Sequence, residues 1–486
     1  MSLASPGLSK AIGRSPAACY IWEAMKALVQ NIPCTKSARL MRHARGTRWL
    51  AGFILPWIGL VAGVGCQRAE PTPPNVLVYV VDTLRADAVD LQNPLRSSTP
   101  HFAALAQEGV TFENAYANAS WTRASVASLL TGLLPWHHAA ESRADRLPEM
   151  ARTLSEYFAE RGYSTAIISA NPNVSEVFGF QQGVGSFREL YARSGPGLVG
   201  GRELVTPSDV VTNETIRWLQ GTTPPFFILA LAIDPHAPYQ PPAEFDPGQH
   251  RKEDPIADAA RIRSNEARVR ERYAGEVAFN DASFGQLVAF LKSKNLWDET
   301  VVVVTSDHGE AFWEYGRAGH GQSLSEEVLR VPLILRGLDG RLPSGQRSTQ
   351  PVSLIDLAPT LLDLAHIRRP DGLDGQSLLE NSETSRPILA GLDLDQHRLL
   401  SAVDPPYKLV RDLKTGKQTL YHLSEPGAES IPVDPDRDPA AREAQARLQA
   451  ALAQSLAQEE RTLTKSRAGR IPGQVEESLR ALGYIE

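Results

Sequence analysis

The stretch NVLVYVVDTLRAD, residues 75–87, decides the fold. Its first seven residues include four valines and no charge, which is typical of a strand buried on both faces of a parallel sheet. FFILALAIDPH (226–236) and VVVVTSDHGE (301–310) repeat the pattern, and all three runs end in acidic or imidazole groups. These polar residues are Asp82, Asp234, His236, Asp307, His308 and Glu310.

Helical segments separate the strands. TPHFAALAQEG (99–109) has a Thr cap, an early Pro and a Gly stop, and RTLSEYFAERGY (152–163) precedes the short strand STAIIS. GEVAFNDASFGQLVAFLKSKNL (275–296) carries apolar residues at helical spacing. This alternation predicts an α/β fold with a large mixed, mostly parallel sheet flanked by helices. Ligands bind such sheets outside the carboxyl ends of the strands, where the polar residues lie.

The character of the sequence changes after residue 387. YKLVRDLKTGKQTLYHLS (407–424) reads as two β-rich runs around a Lys-Thr-Gly turn, which predicts a hairpin in an antiparallel unit. An Ala-rich helical segment follows it. We therefore predict a catalytic domain over residues 75–386 and a smaller C-terminal α+β subdomain over residues 387–486.

Composition excludes some functions. The chain has 486 residues and a formal net charge of -6, without a Lys/Arg run after the first strand, so nucleic acid is not an expected partner. Its three cysteines, Cys19, Cys34 and Cys66, all precede the first strand. Neither a disulfide framework nor a thiolate metal site can therefore hold the main fold.

Residues 41–66 resemble a bacterial lipoprotein signal, with a basic start, an apolar stretch, small residues and then Cys66. Gly63 departs from the Leu usual at that position. The alternative is an uncleaved membrane anchor. Both interpretations predict an extracytoplasmic, membrane-associated protein. Residues 67–74 are expected to be a Pro-rich tether.

Residues 1–40 fit neither kind of signal. We expect them to be an untranslated or disordered leader, with Met41 as the true start.

Asp82, Asp307 and His308 offer two carboxylates and an imidazole at neighbouring strand ends, which suits one divalent cation such as Mn, Mg, Ca or Zn. A single Asp at a strand end is more often a turn or cap residue. The coincidence of three such ends, with His236 and His320 besides, favours a metal site.

Seven motifs in order resemble the sulfatase family of the alkaline phosphatase superfamily. The resemblance implies a metal-dependent hydrolase or transferase acting on an anionic ester, with Asp82, Asp307 and His308 as metal ligands. It also implies that His236 and His320 bind the anionic oxygens of the substrate. The motifs are NVLVYVVDTLRAD, DPHAPY, TSDHGE, GHGQSLSEEVLRVPLIL, SLIDLAPTLLDLA, DGQSLL and LRALGYI.

The nucleophile signature departs from this family. Sulfatases carry a signature that begins C-x-P-S-R and ends in L-T-G, and they oxidise its cysteine, or sometimes a serine, to formylglycine. Here SWTRASVASLLTG (120–132) places Thr122 at the nucleophile position, Ala124 at the Pro and Val126 at the Arg. A formylglycine hydrate has a second hydroxyl that expels the sulfuryl group, whereas threonine has only one. Thr122 can still act as a metal-activated alkoxide on a phosphoester or phosphonate ester, and such threonines resemble those of the phosphodiesterase branches.

Several alternatives stay open at this point. Thr122 could be a helix cap, with Ser120 or Ser125 as the nucleophile. The chain could be a true sulfuric ester hydrolase, or a degenerate binding protein on the same fold. Asp234 could bind substrate or, with His236 and His320, close around a second metal. Specificity is expected to reside in two insertions, residues 183–206 and 244–272.

Overall fold

The computed structural model describes residues 72–91, 98–191, 206–246, 248, 266–338, 340–380, 386–424, 427–458 and 461–485. Residues Thr72–Glu486 form one compact unit. The predicted leader, lipoprotein signal and Cys66 lie outside the described residues, as do most of the two predicted insertions. In the part of the chain that is described, no helix combines the length and apolarity needed to cross a membrane.

Ten α-helices are assigned in the described chain. They are α1 Pro100–Glu108, α2 Thr122–Thr131, α3 Pro135–His138, α4 Leu154–Ala159, α5 Ser208–Gln220, α6 Glu266–Ser293, α7 Glu326–Leu329, α8 Leu357–Leu364, α9 Pro439–Leu456 and α10 Gly473–Ala481. The strands are β1 Asn75–Val81, β2 Val110–Phe112, β3 Ala115–Tyr116, β4 Asp145–Arg146, β5 Ser164–Ser169, β6 Ser186–Glu189, β7 Phe226–Ala232, β8 Thr300–Thr305, β9 Ala311–Phe312, β10 Ala318–Gly319, β11 Arg330–Val331, β12 Leu333–Arg336, β13 Gln346–Ser348, β14 Val352–Ser353, β15 Ile388–Leu394, β16 His397–Asp404, β17 Tyr407–Asp412, β18 Gln418–His422 and β19 Ser466–Arg467.

The large sheet has eight strands in the order β13-β2-β12-β8-β1-β7-β5-β6. Strand β1 pairs in parallel with both β7 and β8, and β7 pairs in parallel with β5. Only β12 runs against its neighbours among the strands described in this sheet. The predicted mixed, mostly parallel α/β sheet is therefore confirmed.

The central strands are buried because their side chains are apolar on both faces. Every residue of β1, β7 and β8 is buried, and helices such as α1, α5 and α6 pack over the sheet. This is why the sequence shows continuous apolar runs rather than alternation. In these runs, charged residues therefore occur only after the strands end.

The predicted helices occur with shifted ends. The segment predicted over 152–163 is helical over α4 only, where Thr153 and Glu156 form a capping box. The helix predicted over 275–296 begins earlier, at Glu266. The end of the insertion predicted over 244–272 is thus helical, since polar residues there continue the helix without an apolar period.

The C-terminal hairpin is confirmed. Strands β17 and β18 flank the turn at Lys414–Gly416 and belong to a four-stranded antiparallel sheet, β15-β16-β17-β18. Helix α9 packs on β16 and β17. A second hydrophobic cluster forms beneath it from residues including Leu409, Leu420 and Leu448.

Lys408 connects this sheet to the segment that follows the third apolar strand. Its side chain is fully buried on β17, with Nζ 3.0 Å from Glu326 Oε1 and 2.9 Å from Glu429 Oε1. Burial lowers the pKa of Lys408, but the two carboxylates outweigh this effect and raise the pKa above its usual value. The ammonium group is therefore charged and its charge is compensated.

We expect Lys408→Met to lower the free energy of unfolding by about 3–5 kcal/mol, because it leaves buried carboxylates without their cation. Lys414→Met is the matched control, since Lys414 is exposed in the hairpin turn and its loss should change stability by less than about 0.5 kcal/mol. Urea unfolding of both variants measures the difference. Equal stability of the two would show that this ion pair does not hold the sheets together.

Candidate active site

Four adjacent strands of the large sheet deliver polar residues to one edge. Asp82 follows β1, Asp307 and His308 follow β8, His236 lies beyond β7, and Asn171 lies beyond β5. Because these strands are parallel and in register, their carboxyl ends meet. All of these side chains are buried.

Asp82, Asp307 and His308 form a compact cluster, with one ligand atom from each lying within 4.8 Å of the others. His308 Nε2 is 3.8 Å from Asp82 Oδ1 and 3.5 Å from Asp307 Oδ2. Those two carboxylate oxygens are buried and have no hydrogen-bond partner among the described residues. Buried charged oxygens without partners are costly, so the cluster lacks a counter-charge.

The imidazole of His308 is fixed in one tautomer. Its Nδ1 lies 2.9 Å from the carbonyl oxygen of Gly309, which can only accept, so Nδ1 carries the hydrogen. In the neutral ring that metal binding requires, the unprotonated nitrogen is therefore Nε2, which faces the carboxylates. This is the arrangement of a histidine that binds a metal, with its second nitrogen held by the backbone.

Thr83 contributes strain at the same place. This β-branched residue has a φ of 57°, a left-handed conformation that such residues rarely adopt. Its N–H donates to Asp307 Oδ1 and its carbonyl accepts from the hydroxyl of Tyr273. The turn after β1 thereby holds Asp82 against Asp307.

The electrostatics of the cluster fit a divalent cation. Burial raises the pKa of Asp82, and the charge of Asp307 raises it further. Burial also raises the pKa of Asp307. A bound cation would reverse both effects by favouring the ionised carboxylates. Two carboxylates and a neutral imidazole therefore fit a metal ion as its protein ligands.

Thr122 is the first residue of helix α2 and lies against this cluster. Its Oγ1 is 3.3 Å from His308 Nε2, 3.3 Å from Asn171 Nδ2 and fully buried. Helix α2 has Trp121 at its N-cap position, without a side-chain cap. The Thr122 hydroxyl is thus not engaged as a helix cap.

The two alternative serines are placed differently. Ser125 lies one turn along α2, and its hydroxyl donates to the carbonyl oxygen of Asp307 at 2.5 Å. Ser120 Oγ is buried without a hydrogen-bond partner in the described chain. Neither hydroxyl is brought to the ligand atoms as Thr122 is.

Arg123 follows Thr122 but does not take the place of the arginine that the signature lacks at Val126. Its guanidinium donates to three backbone carbonyls and to Asn173 Oδ1, and it lies 3.3 Å from the centre of the Phe178 ring. Burial lowers the pKa of Arg123 to about 9. These four acceptors are neutral, and the carboxylate of Asp145 supplies nearby negative charge that offsets part of the effect of burial.

His236 and His320 stand beside the cluster, as predicted. Their ring centres are 5.0 Å apart, and the His320 ring is 4.5 Å from that of His308. His320 Nδ1 is 3.2 Å from Glu310 Oε1, and the Tyr239 hydroxyl donates to the other oxygen of this carboxylate. Burial lowers the pKa of His236 to about 3.

The structure does not bring Asp234 into the cluster. Its Oδ2 accepts from the backbone N–H and the hydroxyl of Ser208, at the start of α5. An aspartate at a strand end can cap a neighbouring helix instead of facing the ligand crevice, and this one does. The grouping of Asp234, His236 and His320 around a second metal therefore lacks its carboxylate.

Asn171 and Tyr484 were missed by the sequence analysis. Asn171 Nδ2 donates to Asp82 Oδ2 at 2.5 Å, and the Tyr484 hydroxyl is 3.1 Å from Thr122 Oγ1. Asn171 follows the short strand STAIIS, so the rule applied to the other strand ends would have found it. Tyr484 lies in the motif LRALGYI, but that motif alone does not assign it to the site, because its partners lie hundreds of residues earlier.

Comparison with known proteins agrees with this site. The family model described as Sulfatase matches residues 74–367, more than half of the chain. The chain belongs to the sulfatase family. It is 26% identical over 394 residues to an ulvan-active sulfatase of Formosa agariphila, which covers 74% of this chain and 75% of that protein. It is 25% identical over 407 residues to the multifunctional alkaline phosphatase superfamily protein PehA of Trinickia caryophylli, covering 65% of this chain and 78% of that one.

A solved structure shares the fold. The phosphonate monoester hydrolase of Agrobacterium radiobacter superposes with a TM-score of 0.63 at 21% sequence identity, covering 79% of this chain and 96% of that one. This sulfatase-family chain is accordingly a metal-dependent hydrolase of ester bonds, with a buried Asp-Asp-His group that can bind the metal.

We expect the chain to bind one Mn²⁺ ion, and Asp307→Asn to abolish binding because it removes a charged ligand. At a hundred times the Kd, the ion should add about 2.7 kcal/mol to the free energy of unfolding. Titration calorimetry and thermal unfolding, with and without EDTA, measure both effects. Asp234→Asn is the control and should retain one ion per chain. If the wild type bound two ions and this variant only one, the two-metal interpretation would be supported instead.

Proposed function

We propose that this sulfatase-family enzyme hydrolyses or transfers phosphoesters or phosphonate esters, with unmodified Thr122 as the nucleophile. The position of Thr122 Oγ1 carries the proposal, because it lies 3.3 Å from His308 Nε2 at the predicted metal ligands. A threonine cannot become formylglycine, so the second hydroxyl needed to expel a sulfuryl group is missing. A phosphoryl-threonine can instead be opened by water or a second alcohol.

The residues around Thr122 support an anionic transition state. When bound at Asp82, Asp307 and His308, the divalent ion supplies positive charge to the reacting oxygens. Helix α2 presents the unbonded N–H groups of its first turn and the positive end of its dipole at the same place. His236 and His320 stand beside the cluster. Together these groups suit a tetrahedral anion attacked by the Thr122 oxygen.

Asn171 adds a neutral donor. Its Oδ1 accepts from the backbone N–H of Asn173, which orients Nδ2 towards Asp82 and Thr122. The amide group thus holds Asp82 in place without adding charge. A fixed donor at this position costs no reorganisation when negative charge develops.

Sulfate ester hydrolysis is the competing activity, because the ulvan-active relative is a sulfatase. It would require Thr122 to transfer a sulfuryl group and then release it without a formylglycine hydrate. We therefore place phosphoesters and phosphonate esters ahead of sulfate esters.

We expect the purified protein with Mn²⁺ to turn over aryl phosphodiesters or phosphonate monoesters faster than the matched aryl sulfate. Thr122→Ala should lower kcat by roughly 10³-fold or more, because it removes the nucleophile. Acid quenching of the wild type during turnover, followed by peptide mass spectrometry, should identify phosphoryl-threonine at residue 122.

Ser120→Ala and Ser125→Ala serve as matched controls and should keep kcat within about tenfold of the wild type, since neither serine reaches the cluster. Loss of turnover in either serine variant, with turnover retained in Thr122→Ala, would show that the serine and not Thr122 is the nucleophile. Faster sulfate turnover that survives Thr122→Ala would refute the threonine mechanism.

The proposal includes an extracytoplasmic location, attached to the membrane by lipid on Cys66. Its support is the sequence of residues 41–66, with a basic start, an apolar stretch and then the cysteine. Lipid attachment would present the active site to esters outside the cytoplasm.

We expect Cys66→Ala to move the protein from the membrane fraction to the soluble fraction and to abolish labelling with radioactive palmitate, because the lipidated thiol is lost. Fractionation of cells expressing both forms measures this, with Gln67→Ala in the predicted tether as the control that should stay membrane-bound. Retention of Cys66→Ala in the membrane would indicate an uncleaved anchor instead.

A further inference from the structure

The hydroxyl of Tyr484 lies at the centre of the site. It is 3.1 Å from Thr122 Oγ1, 3.1 Å from Asn171 Nδ2 and 3.2 Å from His236 Nε2. No other side chain in the described residues has a hydrogen-bond contact with both Thr122 and His236. Among the described residues, Tyr484 is therefore the one bridge between the proposed nucleophile and a histidine predicted to bind the anionic oxygens.

The direction of each hydrogen bond follows from its partners. His236 Nδ1 is 2.6 Å from the carbonyl oxygen of Ala237, so Nδ1 carries the hydrogen and the neutral ring leaves Nε2 bare. The Tyr484 hydroxyl must then donate to His236 Nε2. Asn171 Nδ2 can only donate, so the phenol oxygen accepts from it. With a cation held at His308 Nε2, the remaining lone pair of the phenol oxygen would accept the hydrogen of the Thr122 hydroxyl.

Helix α10 holds the phenol in this position. Val475, Leu479 and Leu482 are buried in the main hydrophobic core together with the Tyr484 ring. The backbone N–H of Tyr484 donates to the carbonyl oxygen of Leu479 at 2.8 Å. Tyr484 is 5% exposed and is fixed at the end of its helix. Its hydroxyl is therefore preorganised next to its hydrogen-bond partners.

We propose that Tyr484 is a catalytic residue that relays the proton of Thr122 to His236. This inference rests on the proposed function, since it concerns the step in which Thr122 attacks phosphorus. As the bond from Thr122 Oγ1 to phosphorus forms, the threonine proton passes to the Tyr484 oxygen, and the phenolic proton passes to His236 Nε2. The bond from phosphorus to the leaving oxygen breaks, and that oxygen keeps the electron pair and takes the proton from His236.

The relay explains the geometry of the nucleophile. Thr122 has one hydrogen. When a cation occupies the ligand atoms of Asp82, Asp307 and His308, Tyr484 is the acceptor outside the cluster that can take this hydrogen. The lone pairs of the threonine oxygen then remain available for the cation and for the phosphorus atom of the substrate. A proton directed at the cluster would instead compete with the cation that the carboxylates require.

Tyr484→Phe tests the relay, because it keeps the ring and removes only the hydroxyl. We expect kcat for a phosphonate monoester to fall about 100-fold, with KM unchanged, as for loss of one acid–base group. In a single turnover, quenched samples analysed by mass spectrometry should show phosphoryl-Thr122 forming slower by the same factor. Calorimetric affinities for Mn²⁺ and for orthovanadate should be those of the wild type, which shows an intact site.

Tyr163→Phe is the matched control. The Tyr163 hydroxyl is also buried but has no hydrogen-bond partner in the described chain, so its removal should leave kcat and the single-turnover rate unchanged. Thermal unfolding of both variants checks that each is folded.

The outcomes separate this inference from the proposed function. Unchanged or faster phosphoryl-threonine formation in Tyr484→Phe, with Thr122→Ala inactive, would overturn the relay while the nucleophile stands. Tighter vanadate binding in Tyr484→Phe would show that the phenol merely occupies the substrate position. Turnover retained in Thr122→Ala would instead refute the proposed function itself.

Discussion

The site depends on two buried carboxylates that face the Nε2 atom of a histidine. Among the described residues, Asp82 and Asp307 each leave an oxygen without a hydrogen-bond partner, and Gly309 holds Nδ1 of His308 so that Nε2 points to them. Unpaired negative charge is unfavourable in a buried position, so this arrangement favours a bound cation. Thr83 fixes the turn after the first strand by donating its N–H to Asp307 Oδ1. The fold thus retains unfavourable electrostatic and backbone interactions at the site where the cation is expected to bind.

The proposed nucleophile differs from that of the family signature, but the surrounding frame matches the family. Thr122 begins a helix whose N-terminus faces the cluster, which is what an attacking group on an anion requires. The position of Val126 has lost an arginine, and Arg123 points its donors to backbone carbonyls instead. Positive charge at the site must therefore come chiefly from the cation and the helix. The chemistry is carried by fewer side-chain charges than the family signature supplies.

Much of this site could be predicted from the sequence. Apolar runs mark the buried parallel strands, and the polar residues that follow them meet at one edge of the sheet. Asp82, Asp307 and His308 followed from that rule, and Asn171 obeys it although it was overlooked. Asp234 shows the limit of the rule, since Ser208 at a helix start competes for the same carboxylate. Tyr484 lies 362 residues from Thr122, and no spacing within a strand or helix reports a contact of that kind.

That separation has a consequence for how the enzyme becomes active. The proposed nucleophile and its phenol partner lie 362 residues apart, so closing this contact costs loop entropy and comes late in folding. Residues 75–348 carry every strand of the large sheet and the carboxylate cluster, so both can assemble before helix α10 exists. During synthesis the chain therefore carries its metal ligands before its complete catalytic group. Activity then reports that the final segment has docked, which makes turnover a readout of complete folding.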